Sequence, residues 1–177
     1  MTTVLVVPGL GNSGPDHWQS HLETALPGCR RVVMGDWDKP DLQDWVQGLE
    51  RAVQDAGDDP VVLLAHSLAC ATVAHWSREG RVDAVKAALL VAPADVDSRD
   101  HTPPEIWGFA PMPLHRLPFP ATVVASRTDP FVAWDRAAAF AEAWGADFVD
   151  AGDAGHLNTD AGYGRWDYPA SWLNALA

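Results

Sequence analysis

The stretch Val61-Val-Leu-Leu-Ala65-His66-Ser67-Leu68-Ala69-Cys70-Ala71 decides how this sequence folds. It begins with a continuous apolar run, which is typical of a strand buried on both faces of a parallel sheet. A serine follows, with a small residue two positions away on each side, and helical spacing continues to about residue 78. A strand, a sharp turn at a serine and a helix form the layout of a nucleophile elbow, in which the turn exposes the hydroxyl above the sheet.

This stretch also has a purely structural interpretation. The elbow motif usually reads Gly-x-Ser-x-Gly, whereas Ala65 and Ala69 stand at the flanking positions here, each a methyl group larger. A serine at a strand-to-helix turn is also a common helix N-cap. The motif by itself therefore leaves both interpretations of Ser67 open.

Strand-like and helix-like segments alternate along the rest of the chain. The pattern predicts strands at residues 3–7, 31–34, 61–65, 85–91, 121–125 and 147–149, and helices at 16–26, 42–53, 68–78, 134–144 and 169–176. Such alternation predicts a three-layer α/β fold in one domain spanning residues 1–177, with a mostly parallel sheet and helices on both faces. Because residues 93–120 are rich in proline, we expect an irregular excursion there and no helical cap domain.

Composition excludes several classes of partner. The chain has 12 basic and 24 acidic residues, a formal net charge of −12, so neither nucleic acid nor an anionic membrane surface is an expected partner. No apolar run approaches the roughly 20 residues that span a bilayer. Cys29 and Cys70 show no metal-binding spacing and fit a reducing cytoplasm. We expect no metal and no cofactor, and the pattern is compatible with an oligomer without specifying one.

A serine nucleophile needs a histidine and an acid, which in this fold follow it in the order acid, then histidine. Asp129, in Ser126-Arg-Thr-Asp129-Pro130, comes directly after the predicted strand at 121–125. His156, in Asp153-Ala-Gly-His156-Leu-Asn158, follows the last predicted strand, and the other six histidines all precede Asp129. Separately, Asp129 is also typical of a turn and His156 of a surface loop. The joint order predicts a catalytic triad of Ser67, Asp129 and His156.

Two backbone N–H groups are expected to bind the oxyanion. One belongs to Leu68, at the start of the helix after the serine. The other is assigned to Leu10, with Gly11 as the next candidate, in the loop Pro8-Gly9-Leu10-Gly11-Asn12-Ser13 after the first strand, where glycines let the backbone approach a substrate. Substrate contacts are predicted for Gly9, Gly11, His66, Trp107 and Asn158.

The same loop carries a competing motif. Gly9-Leu-Gly11-Asn-Ser-Gly14 is a G-x-G-x-x-G sequence after a predicted strand, and Asp36 lies about 20 residues further on, as in a dinucleotide-binding fingerprint. Prolines 8 and 15 directly flank the motif, and this interpretation leaves Asp129 and His156 unexplained. A dinucleotide-binding oxidoreductase is therefore the second hypothesis.

The motifs together resemble the small serine hydrolases of the YdeN-like and retinoblastoma-binding serine hydrolase family. The matching segments extend nearly end to end: Pro8-Gly9, Asp16-His17-Trp18, His66-Ser67-Leu68, Ser126-x-x-Asp129-Pro130, Gly155-His156-Leu-Asn158 and Gly162-Tyr-Gly164-Arg-Trp166. The resemblance implies an α/β-hydrolase fold, with Ser67 as nucleophile, Asp129 as acid and His156 as base. We expect a hydrolase of small carboxylic esters, amides or thioesters; a non-catalytic, hydrolase-like interaction protein is the third hypothesis.

Overall fold

One six-stranded parallel sheet organises the computed structural model, which describes residues 1–177. The strands are β1 (Thr3–Val7), β2 (Cys29–Arg31), β3 (Val61–His66), β4 (Val85–Val91), β5 (Ala121–Ala125) and β6 (Asp147–Asp150). The helices are α1 (Trp18–Ala25), α2 (Leu42–Gln54), α3 (Leu68–Trp76), α4 (Trp134–Trp144) and α5 (Tyr168–Ala175), with short 3₁₀ helices at Val82–Ala84 and Pro104–Phe109. None of these helices combines the length and the apolar character that spanning a bilayer requires.

Helices cover both faces of the sheet, which confirms the predicted three-layer α/β architecture. Successive residues of β3 point to opposite faces, so Leu63 and Ala65 pack with the cluster that includes α2, α3 and α4. Val62 and Leu64 pack instead with the cluster that includes α1 and α5. All six β3 residues are buried, as the continuous apolar run predicts.

The strand order places a crevice between β1 and β3. The order is β2-β1-β3-β4-β5-β6, so the chain winds in one direction from β1 to β2 and in the other direction from β3 onwards. Val7 is in register with Ala65, so the loops after β1 and β3 leave the sheet side by side. Open α/β sheets bind ligands at such a switch point, outside the carboxyl ends of the strands.

The position of β2 differs from the prediction. Residues 31–34 were expected to form the strand, but β2 comprises Cys29–Arg31, with Val4 of β1 opposite Cys29 and Val6 opposite Arg31. The Val32 N–H still bonds to the Val6 carbonyl oxygen, at 3.0 Å, and the ladder ends there. Val32 and Met34 are buried against the helical layer, while Val33 is 69% exposed. Their alternating burial therefore comes from packing beyond the sheet edge. The other predicted boundaries differ by only one or two residues.

The proline-rich connection between β4 and β5 contains only one short 3₁₀ helix, so there is no cap domain. Arg136 anchors the start of this segment through Asp95, at 2.9 Å, and through Asp97, at 3.0 Å. Asp97 in turn accepts the Met112 N–H. His75 donates a hydrogen bond from Nε2 to the Phe109 carbonyl, at 2.7 Å. These contacts hold the segment over the carboxyl edge of the sheet.

Candidate active site

Ser67 lies on a strained turn between β3 and α3. Its backbone has φ 59° and ψ −121°, a left-handed conformation that non-glycine residues rarely adopt. The flanking Ala65 and Ala69 are both fully buried, which explains why small residues are needed there. Ser67 occupies the N-cap position of α3, but its hydroxyl makes no capping hydrogen bond to the helix.

The structure brings Ser67, His156 and Asp129 together in one chain of hydrogen bonds. The distance from Ser67 Oγ to His156 Nε2 is 2.8 Å. His156 Nδ1 lies 2.9 Å from Asp129 Oδ1 and 3.0 Å from Oδ2. Because a carboxylate only accepts, Nδ1 carries the proton and Nε2 is free to accept the serine proton. The Asp129 side chain is 0% exposed and also accepts the Phe131 N–H, at 2.9 Å.

The loops that carry Asp129 and His156 are bonded to each other. They follow the neighbouring strands β5 and β6, which pair in parallel and therefore end at the same edge. Ser126 Oγ accepts the Ala154 N–H, at 2.9 Å, and Thr128 Oγ1 accepts the Gly155 N–H, at 3.0 Å. Neither hydroxyl was predicted from the sequence to hold the site, although both stand in the segment Ser126-Arg-Thr-Asp129 that carries the predicted acid.

The loop after β1 lies against the elbow. A Cβ atom on Gly9 would lie 2.9 Å from the His66 carbonyl oxygen and 3.1 Å from Ser67 Cβ, so only glycine fits. Leu68 is the first residue of α3, and its N–H has no acceptor within the helix. Leu10 N–H forms no hydrogen bond within the chain. Leu10 and Leu68 both line the cavity beside Ser67.

A fully buried glutamine fixes this loop to the sheet. Gln19, on α1, donates from Nε2 to the carbonyl oxygens of Val7, at 3.0 Å, and Leu64, at 2.9 Å. Its Oε1 accepts the Ser13 hydroxyl, at 2.6 Å. Gln19 therefore joins the ends of β1 and β3 to the loop that borders the nucleophile. This role of Gln19 was not predicted from the sequence, because a polar residue early in an amphipathic helix carries no distinctive signal.

A cavity of about 290 Å³ opens beside Ser67. One part of its wall is apolar, formed by Leu10, Leu68, Ala94, Pro103, Ile106 and Phe131. The other side chains are polar and include no lysine or arginine: Asn12, His17, His66, Ser67, His156, Asn158, Thr159 and Asp160. Among the predicted substrate contacts, Gly9, His66 and Asn158 line this cavity.

Gly11 and Trp107, also predicted to contact substrate, lie outside the cavity wall. Gly11 donates its N–H to the Trp37 carbonyl, at 2.8 Å, which directs it away from the elbow. Trp107 donates its indole N–H to the Thr102 carbonyl, at 3.1 Å, and its ring packs under the Arg99 guanidinium. The neighbouring Ile106 turns into the cavity instead, because successive residues of a 3₁₀ helix face different directions.

Two further histidines border the site in their neutral form. Burial lowers the pKa of His17 to about 4, with a smaller effect from the nearby Arg31, and its Nδ1 accepts the Gln19 N–H. Burial also lowers the pKa of His66 well below 6.5, and the neighbouring His156 adds to this effect. Both rings are therefore uncharged at neutral pH.

The glycine motif does not adopt the dinucleotide-binding arrangement. In a dinucleotide-binding fold, the third glycine of the motif stands at the start of the helix and allows the helix to pack closely on the strand. Here α1 begins only at Trp18, with His17 as its N-cap, and a Cβ atom on Gly14 would contact nothing within 4 Å. The closely packed position is Gly9, whose neighbour is the elbow.

Comparisons with known proteins identify the family and the fold of this chain. The model of the family described as serine hydrolase matches residues 4–175. A structure described as a YdeN-like hydrolase from Pectobacterium atrosepticum is 32% identical, with 99% of this chain and 90% of that chain covered and a TM-score of 0.86. The ydeN gene product of B. subtilis is 17% identical, with 99% and 98% covered and a TM-score of 0.77. An esterase domain from Rhodothermus marinus is 15% identical, with 99% and 86% covered and a TM-score of 0.69. None of the curated proteins matches.

Proposed function

Because the chain belongs to the serine hydrolase family and is a hydrolase with the α/β-hydrolase fold, we propose that Ser67, His156 and Asp129 are its catalytic triad. The resemblance to the YdeN-like hydrolases is confirmed. The observation that carries the proposal is the continuous contact from Ser67 Oγ to His156 Nε2, at 2.8 Å, and from His156 Nδ1 to Asp129, at 2.9 Å.

In the proposed reaction, Ser67 Oγ attacks the substrate carbonyl while His156 Nε2 takes its proton. The same proton is then passed to the leaving group, which departs and leaves an acyl-enzyme. Water then attacks the acyl carbonyl while His156 Nε2 takes one of its protons. The bond between the acyl carbon and Ser67 Oγ breaks, His156 returns the proton to Ser67 Oγ, and the carboxylic acid leaves. Asp129 holds the Nδ1–H tautomer and stabilises the imidazolium that forms in each step.

The N–H groups of Leu10 and Leu68 are the proposed oxyanion hole. Neither has an acceptor within the chain, and both belong to residues that line the cavity beside Ser67. Leu68 N–H also lies at the positive end of the α3 dipole, which favours a developing negative charge. The carbonyl oxygen becomes the oxyanion as Ser67 attacks, so both donors act most strongly in the transition state.

We propose a small carboxylic ester as the substrate, with amides and thioesters as chemically related alternatives. The cavity, at about 290 Å³, is at the lower end of the range for ligand pockets, roughly 300–1,000 Å³. Its wall offers no lysine or arginine to pair with an anionic substrate. Both features support a short acyl chain and an uncharged reacting group.

We also propose a reducing compartment, the cytoplasm, for this enzyme. Cys29 and Cys70 are both free and buried, so neither depends on a disulfide bond. Burial raises the pKa of Cys29 to about 12 and also raises that of Cys70, so both thiols stay protonated and unreactive.

Labelling with a fluorophosphonate probe tests the triad proposal. The wild-type protein is expected to be labelled at Ser67. In Ser67→Ala the label should be absent, and the hydrolysis of p-nitrophenyl acetate should be slower by about 10³-fold or more. Ser171→Ala, which removes an exposed hydroxyl on α5, is the matched control and should keep full labelling. Labelling that persists in Ser67→Ala would reject Ser67 as the nucleophile.

A further inference from the structure

The backbone that carries His156 is held by two side chains from the first 66 residues of the chain. His66 Nε2 donates to the His156 carbonyl oxygen, at 2.9 Å, and Trp18 Nε1 donates to the Leu157 carbonyl oxygen, at 3.0 Å. Both hydrogen bonds are buried. Leu157 has φ 51°, a left-handed conformation that a branched side chain adopts only where surrounding contacts impose it. The two bonds hold the carbonyls on either side of this strained residue.

We propose that His66 is a positioning residue, which sets the distance between nucleophile and base by binding the backbone of His156, and that Trp18 supports it. This inference rests on the proposed function, because it assigns His66 a task within the same triad. It differs from the predicted substrate contact, in which the His66 ring would act on the bound ligand.

The position of His66 in the chain suits this task. It is the last residue of β3 and directly precedes Ser67, so its backbone is part of the elbow. Ser67 and His156 are 89 positions apart in sequence, and their side chains must meet at hydrogen-bond distance for proton transfer. The hydrogen bond from the His66 side chain connects the elbow directly to the backbone of His156, the proposed base.

The chemistry of His66 also suits this task. A carbonyl oxygen only accepts hydrogen bonds, so His66 Nε2 must carry the proton. The ring lies between His17, at 4.8 Å between ring centroids, and His156, at 4.9 Å. As a neutral ring, His66 binds the His156 backbone without placing a second positive charge beside the imidazolium that forms during the reaction.

Two substitutions separate positioning from substrate binding. In His66→Gln, the side-chain amide nitrogen can take the place of Nε2 and donate to the His156 carbonyl. In His66→Asn, the shorter side chain cannot reach it. We expect His66→Gln to keep most of kcat. His66→Asn should lower kcat for p-nitrophenyl acetate and the rate of fluorophosphonate labelling by about tenfold or more, with KM nearly unchanged.

Proton NMR gives a readout that does not require turnover. The Nδ1–H of His156, in its bond to Asp129, should give a downfield resonance that is absent in His156→Ala. It is expected to persist in His66→Gln and to broaden or disappear in folded His66→Asn. If wild-type protein shows this resonance but no labelling, the proposed function fails, and the two His66 variants still decide the positioning role.

The inference is overturned if folded His66→Asn keeps both the resonance and kcat, or if it raises KM alone, as loss of a substrate contact would. Circular dichroism and thermal melting establish whether each variant is folded. Should His66→Asn not fold, Trp18→Phe decides, because it removes the donor to Leu157 and keeps an aromatic ring. A lower kcat or a broadened resonance in Trp18→Phe supports the proposal that these two hydrogen bonds position the backbone of His156, and wild-type values for both reject it.

Discussion

Gly9 occupies a position in which the neighbouring backbone leaves no space for a side chain. In Gly9→Ala the new methyl group would lie 2.9 Å from the His66 carbonyl oxygen, so the loop must move away from the elbow and take Leu10 N–H with it. We expect kcat/KM to fall about 10²-fold, because a small displacement of this proposed oxyanion donor has a large effect on transition-state binding. Steady-state hydrolysis of p-nitrophenyl acetate measures this.

The control for this prediction is Gly108→Ala, in the 3₁₀ helix of the proline-rich segment. A Cβ atom there would meet nothing within 4 Å, and Gly108 does not line the cavity. We expect nearly wild-type kcat/KM for it. Equal kcat/KM in the two variants would show that the contact between Gly9 and the elbow does not determine the positions of the proposed oxyanion donors.

We expect the stability of the protein to depend on pH through His17. Its pKa is about 4 in the folded state and about 6.5 when unfolded, so the unfolded chain binds more protons between these values. The contribution of His17 to the free energy of unfolding therefore rises with pH across this window. On acidification below about pH 6.5 this contribution is progressively lost. Between pH 7 and pH 5, His17 should contribute a loss on the order of 2 kcal/mol.

Urea denaturation of His17→Asn at both pH values tests this. The asparagine Oδ1 can accept the Gln19 N–H in place of Nδ1, but it does not titrate. We expect a smaller difference between the two pH values than in wild type. Some difference should remain, because burial lowers the pKa of His66, His75 and His115 in the same direction. An unchanged difference would contradict the role of His17.

At the scale of elements, α1 is attached to the sheet through one polar side chain. Gln19 donates to the carbonyls of Val7 and Leu64, in β1 and β3. Because both carbonyl oxygens only accept hydrogen bonds, the side chain at position 19 must supply the donor. In Gln19→Glu the carboxylate would face both oxygens in a fully buried site. We expect the free energy of unfolding to fall by about 3 kcal/mol or more.

Gln47→Glu, on an exposed position of α2, is the matched control for this change. We expect it to alter the free energy of unfolding by less than about 0.5 kcal/mol. Chemical denaturation of both variants gives the comparison. If Gln19→Glu is as stable as Gln47→Glu, α1 is held by its apolar face alone, through Trp18 and Leu22.

At the scale of the whole molecule, the short connection between β4 and β5 is expected to limit the length of the acyl chain that the site can enclose. Pro103 and Ile106 are the only residues of the proline-rich segment beyond Ala94 that line the cavity, which has a volume of about 290 Å³. An acyl chain gains about 0.8 kcal/mol for each buried CH₂ only until it reaches solvent. We therefore expect kcat/KM to peak with short acyl chains and to stop rising, or to fall, with longer ones.

A series of p-nitrophenyl esters from two to twelve carbons, each kept below its micellar limit, measures this dependence. The rate of spontaneous hydrolysis of each ester serves as the control for its chemical reactivity. A steady rise in kcat/KM over the whole series would contradict the prediction and indicate an enclosed acyl tunnel.

The sequence by itself determined the order of strands and helices and the three residues of the proposed triad. These signals are local: an apolar run shows a buried strand, and the residue after a parallel strand lies at the carboxyl edge whatever the rest of the chain does. Ser67, Asp129 and His156 each follow such a strand, so their convergence could be predicted before any contact was known.

Only the tertiary structure decided which side chains hold that site in place. Trp18 and Leu157 are 139 positions apart, and Gln19 and Leu64 are 45 apart, so no periodicity or motif links them. The directions of neighbouring side chains were likewise not predictable from a motif: Trp107 packs under Arg99, while Ile106 faces the cavity. The reason is physical: a buried hydrogen bond or a side-chain direction depends on the atoms that surround it after folding, and these come from segments that are distant in sequence.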